Sequence, residues 1–301
     1  MISSIDGSTD LYLARLRQIS SRLERAESEV SGGKRVVSPS DDPNVVSNLL
    51  QVRADMARLK QVSTNLDRVR SEVDSAEGAM QNAIKTFDEV RTLGLAATGT
   101  EQTTESRAEL AEQIGTLLER MAGLANSQVA GRYIFSGDSD QGPAYGIDLQ
   151  QNPPWTSYQG TGSSRRVTHP GGGTMAVAVD AQTIFENPDP EKNVFQAMEN
   201  LRQALIADDN ATIQAALAPL AGVSDHLNSM LSFYGHAQNC LEDAANTSSK
   251  EQVRLKLDQS SLEDADGTQA ILEMTQLKYN QQAALEVHAK MAKTSLFDYM
   301  G

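Results

Sequence analysis

Apolar residues recur in alternating steps of four and three along a stretch that runs from Asp42 to about Ala97. This spacing is a heptad repeat, and it predicts one apolar stripe on a helix much longer than an ordinary globular helix. The repeat breaks once, because the steps from Leu59 to Val62 to Leu66 include an extra step of three, which is a local stammer. Such a helix needs partner helices along its whole stripe. The stripe consists of Val45, Leu49, Val52, Met56, Leu59, Val62, Leu66, Val69, Val73, Ala76, Met80, Ala83, Phe87 and Val90.

Other segments with helical periodicity supply candidate partners. The predicted helices are 10–31, 42–97, 105–129 and 193–206, then one that follows Asp209 and reaches Leu262, and a last one that begins near Ala270. Thr103 or Thr104 can cap the third of these helices, which should fold back as a hairpin. Pro219 should kink the fifth helix or mark a restart, because proline cannot donate the helical hydrogen bond.

Residues 131–190 differ in composition from the helical segments, because they are rich in glycine and turn formers. A strand is predicted at 132–135, a pair of strands at 155–158 and 165–168 around Gly160 and Gly162, and an alternating run at 175–179. We interpret this segment as a small β insert between helices. Substitutions between Gly137 and Gly162 are expected to be tolerated.

The elements occur in mirror order around this insert: a short helix, a polar connecting segment and a long helix precede it, and the same elements follow it in reverse. We call the two polar connecting segments, 34–43 and 260–267, the elbows. The predicted fold is mainly α: a long antiparallel coiled-coil helical rod built from both termini, with a small β-rich insert at the tip. Three domains are expected: a terminal coiled-coil region of 1–42 with 261–301, a helical rod of 43–130 with 191–260, and a β-rich surface domain of 131–190. A terminal pair of helices leaves the flanks of both stripes in water, so we expect these helices to become ordered on assembly.

Composition narrows the possible partners. The formal net charge is −14 and the isoelectric point is near 4.7, so neither nucleic acid nor an anionic membrane is an expected partner. Cys240 is the single cysteine, which rules out an internal disulfide framework. No apolar run approaches the ~18 residues of a membrane span. The first residues lack the basic and apolar regions of a cleavable signal peptide, so the chain is expected to be cytosolic or exported by another route.

Two groups of residues could be ligand sites, but in both cases a structural role is the better interpretation. His236 and Cys240 are four residues apart on one predicted helix and could present two metal ligands, but no third ligand is evident nearby. Residues 138–142 begin like a calcium loop, but Pro143 stands where that loop needs glycine and Leu149 where it needs glutamate. We interpret the first pair as helix packing and the second segment as a turn.

No catalytic or cofactor-binding residue is assigned. Residues 171–173 are glycines without the Gly-Lys-Ser/Thr ending of a phosphate loop, and no nucleophile or paired-carboxylate arrangement follows from the spacing. His288 is expected to be a partly buried packing histidine. Its position in an assembly seam leaves pH-sensitive polymerisation as a minor hypothesis. We therefore predict no cofactor and no metal, and an enzyme is the weaker interpretation of these residues.

Several local strings, in this order and at this spacing, resemble the bacterial flagellin family. Residues 31–43 (SGGKRVVSPSDDP) are similar to the loop between the first helix and the long helix of that family, and residues 76–80 to its mid-helix segment. Residues 126–137 resemble the hook-associated branch of the family rather than filament flagellin. Residues 262–266 resemble the elbow before the C-terminal helix, and residues 295–299 the terminus of the hook-associated branch. His288 and Gln281 depart from the family pattern, since they occupy a stripe expected to be apolar.

This resemblance implies a structural protein with no enzymatic activity, which polymerises as the junction between hook-associated protein 1 and the flagellin filament. It implies export, without a cleaved signal peptide, through the flagellar apparatus with an export chaperone, and an extracellular location in the flagellum. The implied partners are further copies of the chain, hook-associated protein 1 and flagellin. The assembly interface is expected to contain Leu16, Ile19, Leu23, Val30, Met274, Leu277, Ala284, Leu285, Met291, Leu296 and Phe297.

Two alternatives remain open at the level of sequence. Filament flagellin shares the expected fold and termini, and differs in forming long filaments alone. A soluble coiled-coil scaffold or signalling protein belongs to another class, although the two elbows and the β insert are not typical of such a hairpin. An enzyme with a small metal site is the weakest alternative.

Overall fold

A computed structural model describes the backbone of residues 3–99, 102–163 and 165–300, with side chains described between residues 9 and 290 of those ranges. Most of these residues are helical, which confirms the mainly α fold class. The helices are α1 (Ser3–Gly32), α2 (Pro43–Ala96), α3 (Thr104–Ala125), α4 (Ala181–Phe185), α5 (Val194–Ile206), α6 (Asn210–Leu217), α7 (Leu220–Glu263) and α8 (Gly267–Met300). The strands are β1 (Gln128–Val129), β2 (Arg132–Tyr133), β3 (Arg166–Thr168) and β4 (Thr174–Ala176).

The ends of the helices follow from specific side chains. Thr103 caps α3, because its hydroxyl accepts a hydrogen bond from the Ser106 amide at 3.2 Å. The break between α6 and α7 falls at Pro219, as predicted. Helix α3 ends earlier than the predicted residue 129, because the Asn126 side chain binds the backbone of Tyr145. The amide of Asn126 donates to the Tyr145 carbonyl at 2.7 Å, and its oxygen accepts from the Tyr145 amide at 3.1 Å.

The chain forms two compact units. Unit 1 consists of Met1–Leu59 and Glu251–Gly301, and unit 2 consists of Lys60–Lys250. Both boundaries fall inside helices, α2 and α7, and the boundary in α2 falls at Leu59, where the heptad stripe has its stammer. The three-part division expected from the sequence stays a prediction.

Unit 2 has an extensive hydrophobic core. The second half of the α2 stripe is buried in it, and residues of α3, α5 and α7 cover this stripe from the other side. The heptad pattern therefore identified the core positions of α2 correctly. Fully buried members from these helices are Met80, Phe87, Val90, Ile114, Leu118, Met121, Phe195, Met198, Leu201, Val223, Leu227 and Tyr234.

The segment between α3 and α5 is held by one aromatic cluster. Eight of the fourteen aromatic residues in the chain belong to this cluster, which explains how a chain with 5% aromatics can anchor an insert. Tyr145 meets Phe195 edge-on with ring centroids 5.1 Å apart, and Phe135 meets Tyr234 of α7 at 6.2 Å. The members are Phe135, Tyr145, Trp155, Tyr158, Phe185, Phe195, Phe233 and Tyr234.

This anchoring places the insert on the sides of the unit 2 helices. Leu149 packs over Gly115 in the middle of α3. Arg165 forms an ion pair with Glu72 of α2 at 2.8 Å and a second one with Asp140 at 2.9 Å. These aromatic, apolar and ionic contacts hold the insert against α2, α3, α5 and α7.

The predicted pairing of residues 155–158 with 165–168 is wrong. Strand β3 pairs antiparallel with β4, with Arg166 opposite Ala176 and Thr168 opposite Thr174. The reason is the intervening turn, where Gly172 and Gly173 adopt φ of 101° and 87°, a region that favours glycine and closes a tight hairpin. Trp155 instead forms an isolated bridge with Ile147.

The expected tolerance of residues 137–162 to substitution is also wrong at Gly137. This glycine has φ of 66°, and a Cβ atom built on it would lie 1.7 Å from the carbonyl oxygen of Thr161. Gly162, by contrast, has open space where a Cβ atom would be. The segment is closely packed at some glycines and open at others, and spacing in the sequence does not distinguish the two cases.

We expect Gly137→Ala to lower the free energy of unfolding by more than about 2 kcal/mol, because it combines left-handed backbone strain with a backbone clash. Gly162→Ala is the matched control and should stay within about 1 kcal/mol of the wild type. Denaturant unfolding of the full chain measures both. Equal midpoints for the two variants would contradict the packing described for Gly137.

Candidate assembly interface

Helices α1 and α8 pack against each other in unit 1. Leu23 and Ala26 of α1 and Leu277 of α8 form a small buried cluster, and Ile19 and Met274 pack against it. These residues recur at helical spacing, which is why the sequence pattern identified them. The seam is narrow, because a single helix on each side covers only one face of the other.

The polar residues on this seam have partners across it. The rings of Tyr12 and His288 stack with centroids 4.1 Å apart and an angle of 11° between the planes. The Gln281 amide donates to the Ser20 hydroxyl at 3.3 Å. The interpretation of His288 as a packing histidine is therefore confirmed, and α1 supplies the groups that satisfy both departures from an apolar stripe.

The two elbows meet around the buried carboxylate of Glu263, the last residue of α7. Lys34 and Arg53 form ion pairs with this carboxylate, with the Arg53 contact at 3.2 Å, and the Gln259 amide donates to it at 2.8 Å. The Glu263 carbonyl also accepts a hydrogen bond from the Arg35 amide at 2.8 Å. The hydrogen bond from Lys34 is the main reason why the pKa of the Glu263 carboxyl falls to about 2, and Gln259 and Arg53 add to it.

The first elbow is fastened internally as well. Arg35 forms an ion pair with Asp42 at 2.8 Å, and the Asp41 carboxylate accepts hydrogen bonds from the amides of Val37 and Ser38 at 3.0 and 2.6 Å. These hydrogen bonds lower the pKa of the Asp41 carboxyl, and the bond from Arg35 lowers that of Asp42. The charged side chains of this elbow thus bind groups of unit 1.

Helix α8 also carries large apolar side chains outside its seam with α1, and they are exposed in the part of the chain that the structure describes. It carries Tyr279, whose exposed fraction is 75%, and Leu272, at 64%. Among the described residues thirteen large hydrophobic side chains are exposed, and eleven of them belong to unit 1. The exposed members on α8 are Ile271, Leu272, Tyr279, Leu285 and Val287. With 3.6 residues per turn, Leu272 and Tyr279 lie opposite the α1 seam, whereas Ile271, Leu285 and Val287 lie at its sides. Large apolar side chains exposed around a helix are typical of a helix that other chains bury.

The two units also differ in charge. Each contains 13 basic residues in its sequence, but unit 1 contains 16 acidic residues and unit 2 contains 24. The net charges are therefore −3 and −11. The unit with the exposed apolar faces is the one with little net charge, a combination that favours association with other chains.

The residues expected to form the assembly interface fall into four groups. Leu23 and Leu277 are buried in the α1–α8 seam, and Leu285 is exposed. Leu16, Ile19, Val30, Met274 and Ala284 are half-buried. The side chains of Met291, Leu296 and Phe297 lie outside the described residues. That these residues contact other subunits stays a prediction. The sequence pattern did not single out Leu272, Tyr279 or Val287, although the apolar residues of α8 do not all fit one stripe.

The candidate metal pair does not acquire further ligands. The sulfur of Cys240 lies 3.5 Å from Nε2 of His236. In the part of the chain that the structure describes, no group of three or more His, Cys, Asp or Glu side chains is placed to hold a metal ion. None of the helices in that same part combines the length and apolar character that a membrane crossing requires.

Two regions of this chain match a known protein family. The bacterial flagellin N-terminal helical region matches residues 8–140, and the bacterial flagellin C-terminal helical region matches residues 221–300. The two matches contain α1, α2 and α3 at one end and α7 and α8 at the other. The chain belongs to the bacterial flagellin family.

Within this family the chain is similar to hook-associated proteins. It is 26% identical to flagellar hook-associated protein 3 of Escherichia coli (strain K12), over 89% of this chain and 90% of that protein. Its fold is similar to that of a hook-associated protein from Vibrio parahaemolyticus, with a TM-score of 0.66 and 19% identity over 74% of this chain and 100% of the other. It is also similar in fold to the flagellar junction protein FlgL from Legionella pneumophila, with a TM-score of 0.55 and 14% identity over 65% of this chain and 99% of the other.

We expect the contribution of Glu263 to stability to depend on pH. Because the pKa of this carboxyl is about 2 in the folded chain and near 4.5 in its ordinary range, its stabilising effect is complete above about pH 5 and is lost as the pH falls toward 2. Glu263→Gln should lower the free energy of unfolding by about 1.5–3 kcal/mol at pH 7, and the difference from the wild type should shrink toward pH 2. Denaturant unfolding at a series of pH values measures this.

Asp258→Asn removes an exposed carboxylate from the same helix and serves as the control, with unfolding close to the wild type at pH 7. A difference between wild type and Glu263→Gln that stays constant from pH 7 to pH 2 would show that the ion pairs at Glu263 do not stabilise the chain.

Proposed function

We propose that this chain is a structural component of the bacterial flagellum and polymerises as the junction between hook-associated protein 1 and the flagellin filament. Membership of the flagellin family and similarity to hook-associated protein 3 over most of both chains support this function. The proposed partners are further copies of the chain, hook-associated protein 1 and flagellin.

The observation that carries the proposal is the set of five exposed apolar side chains on α8. A half-exposed large apolar side chain gains about 1 kcal/mol or more when a neighbour covers it, so five of them stabilise an assembly by several kcal/mol. These side chains are exposed in the part of one copy that the structure describes. Neighbouring subunits would bury them, and α8 would then have contacts on more than its α1 side.

The distribution of charge supports the same arrangement. The small net charge of unit 1 allows copies to approach closely, whereas the net charge of −11 on unit 2 keeps that unit hydrated and discourages further association. We infer that unit 1 supplies most of the contacts between subunits and that unit 2 carries the surface that faces water.

The remaining parts of the proposal concern location and activity. We propose that the chain is exported without a cleaved signal peptide by the flagellar apparatus, with an export chaperone, and works outside the cell. We propose no enzymatic activity for it. The names of its relatives, which are flagellar hook-associated and junction proteins, support a flagellar location.

A strain that lacks the chain tests the function directly. We expect hooks without attached filaments and flagellin released into the medium, with attachment restored by the full chain. In sheared flagella the chain should be a minor component. A long filament of this chain alone would favour filament flagellin, and a chain that stays in the cytosol while swimming is normal would favour a soluble coiled-coil scaffold.

Leu272→Asp should abolish filament attachment and leave the fold of the single chain intact. The exposed position makes the change in the free energy of unfolding small, within about 0.5 kcal/mol, whereas a carboxylate in the assembled state would be buried without a partner. Swimming, electron microscopy of hooks and denaturant unfolding measure the three effects.

Leu272→Met is the matched control, because it keeps the apolar character and should retain attachment. Leu23→Asp is a poorer choice, since Leu23 is buried in the α1–α8 seam and its loss would damage unit 1 itself. Normal swimming with Leu272→Asp would remove the α8 face from the proposed interface.

A further inference from the structure

A histidine lies at the turn of the β3–β4 hairpin. The hairpin is closed by two backbone hydrogen bonds: the Gly172 amide donates to the His169 carbonyl at 2.9 Å, and the His169 amide donates to the Gly173 carbonyl at 3.0 Å. The turn itself consists of Pro170 and the three glycines 171–173. Because glycine restricts the backbone less than any other residue, contacts from side chains have a large share in fixing this turn.

The His169 ring is bound to the glycine turn through Nδ1. This atom accepts a hydrogen bond from the Gly171 amide at 2.9 Å. The ring is so close that a Cβ atom built on Gly171 would lie 3.0 Å from Nδ1. A backbone amide can only donate, so Nδ1 carries a lone pair and the proton of the neutral ring is on Nε2. The hydrogen bond to Gly171 therefore exists only while Nδ1 is unprotonated.

Helix α7 lies at the other nitrogen of the ring. Nε2 is buried, makes no hydrogen bond within the described part of the chain, and is 3.2 Å from the Asp243 carboxylate. Cys240 of α7 lines the same cavity, and its sulfur contacts His236. On the hairpin, Arg166 donates to the backbone of β4. Among these groups the Asp243 carboxylate is the negative charge beside the ring, so it attracts a protonated imidazole.

We propose that His169 is a pH-sensitive latch of the β3–β4 turn. Histidine is the side chain whose charge ordinarily changes between pH 5 and 8. Once Nδ1 takes up a proton, Nδ1 and the Gly171 amide are two donors that face each other at hydrogen-bond distance, so their bond is lost. The charged ring stays beside the Asp243 carboxylate, and the glycine turn moves away from the ring. Acid thus opens the turn while β3 and β4 stay paired.

A pH titration of the single full-length chain, followed by NMR, tests the latch. The amide resonance of Gly171 should shift between pH 8 and pH 5 with the same midpoint as the ring protons of His169. At pH 5 this amide should exchange with solvent about fivefold faster than the same amide in the His169→Asn variant, which is the factor expected for the loss of one hydrogen bond of ordinary strength.

The His169→Asn variant is the matched rescue. The side-chain oxygen of asparagine can accept from the amide two residues on, as Nδ1 does, but it does not titrate. The Gly171 resonance should therefore stay unchanged from pH 8 to pH 5. His169→Leu has no acceptor, so the Gly171 amide should lack protection at both pH values. His236→Gln removes an exposed histidine of α7 and should keep the wild-type response.

Three results would overturn the latch. The Gly171 resonance could stay constant while the His169 ring titrates, or the ring could stay neutral down to pH 5. A shift of equal size in His169→Asn would show that another group drives the change. The latch concerns unit 2 of a single chain, so its failure leaves the proposed function intact, and the strain that lacks the chain tests that function separately.

Discussion

The need to cover the apolar stripe of α2 constrains the whole chain. A helix of 54 residues with one apolar stripe is stable in water only if other helices bury that stripe. In unit 2, helices α3, α5 and α7 and the aromatic cluster complete the burial. In unit 1 the burial is less complete, and the exposed apolar side chains are concentrated there.

The two units differ in how completely they bury their own apolar groups. Unit 2 satisfies its own apolar groups and carries most of the negative charge, so it has the character of a self-contained domain. Unit 1 has a narrow α1–α8 seam, an elbow held by Glu263 and exposed apolar side chains on α8. These features support the proposal that unit 1 supplies most of the contacts between subunits.

Periodicity predicted the helices well because a helical stripe is a local property. The start of α2 at Pro43, the cap at Thr103 and the break at Pro219 all depend on residues within one turn. Pairing between residues distant in the sequence was predicted poorly. The pairing of β3 with β4 depends on the glycine turn between them, and the closeness of Gly137 to Thr161 depends on how two loops cross.

Spacing and residue types along the chain were enough to predict the mainly α class, the order of the helices, their stripes and the family resemblance. Packing in three dimensions determines that Glu263 is the buried acceptor for Lys34 and Arg53, that Gln281 and His288 find partners on α1, and that large apolar side chains of α8 stay exposed. The physical reason is that burial is a property of neighbours in space. A periodic pattern shows that a face is apolar, but the packed chain decides which apolar faces are covered and which stay exposed.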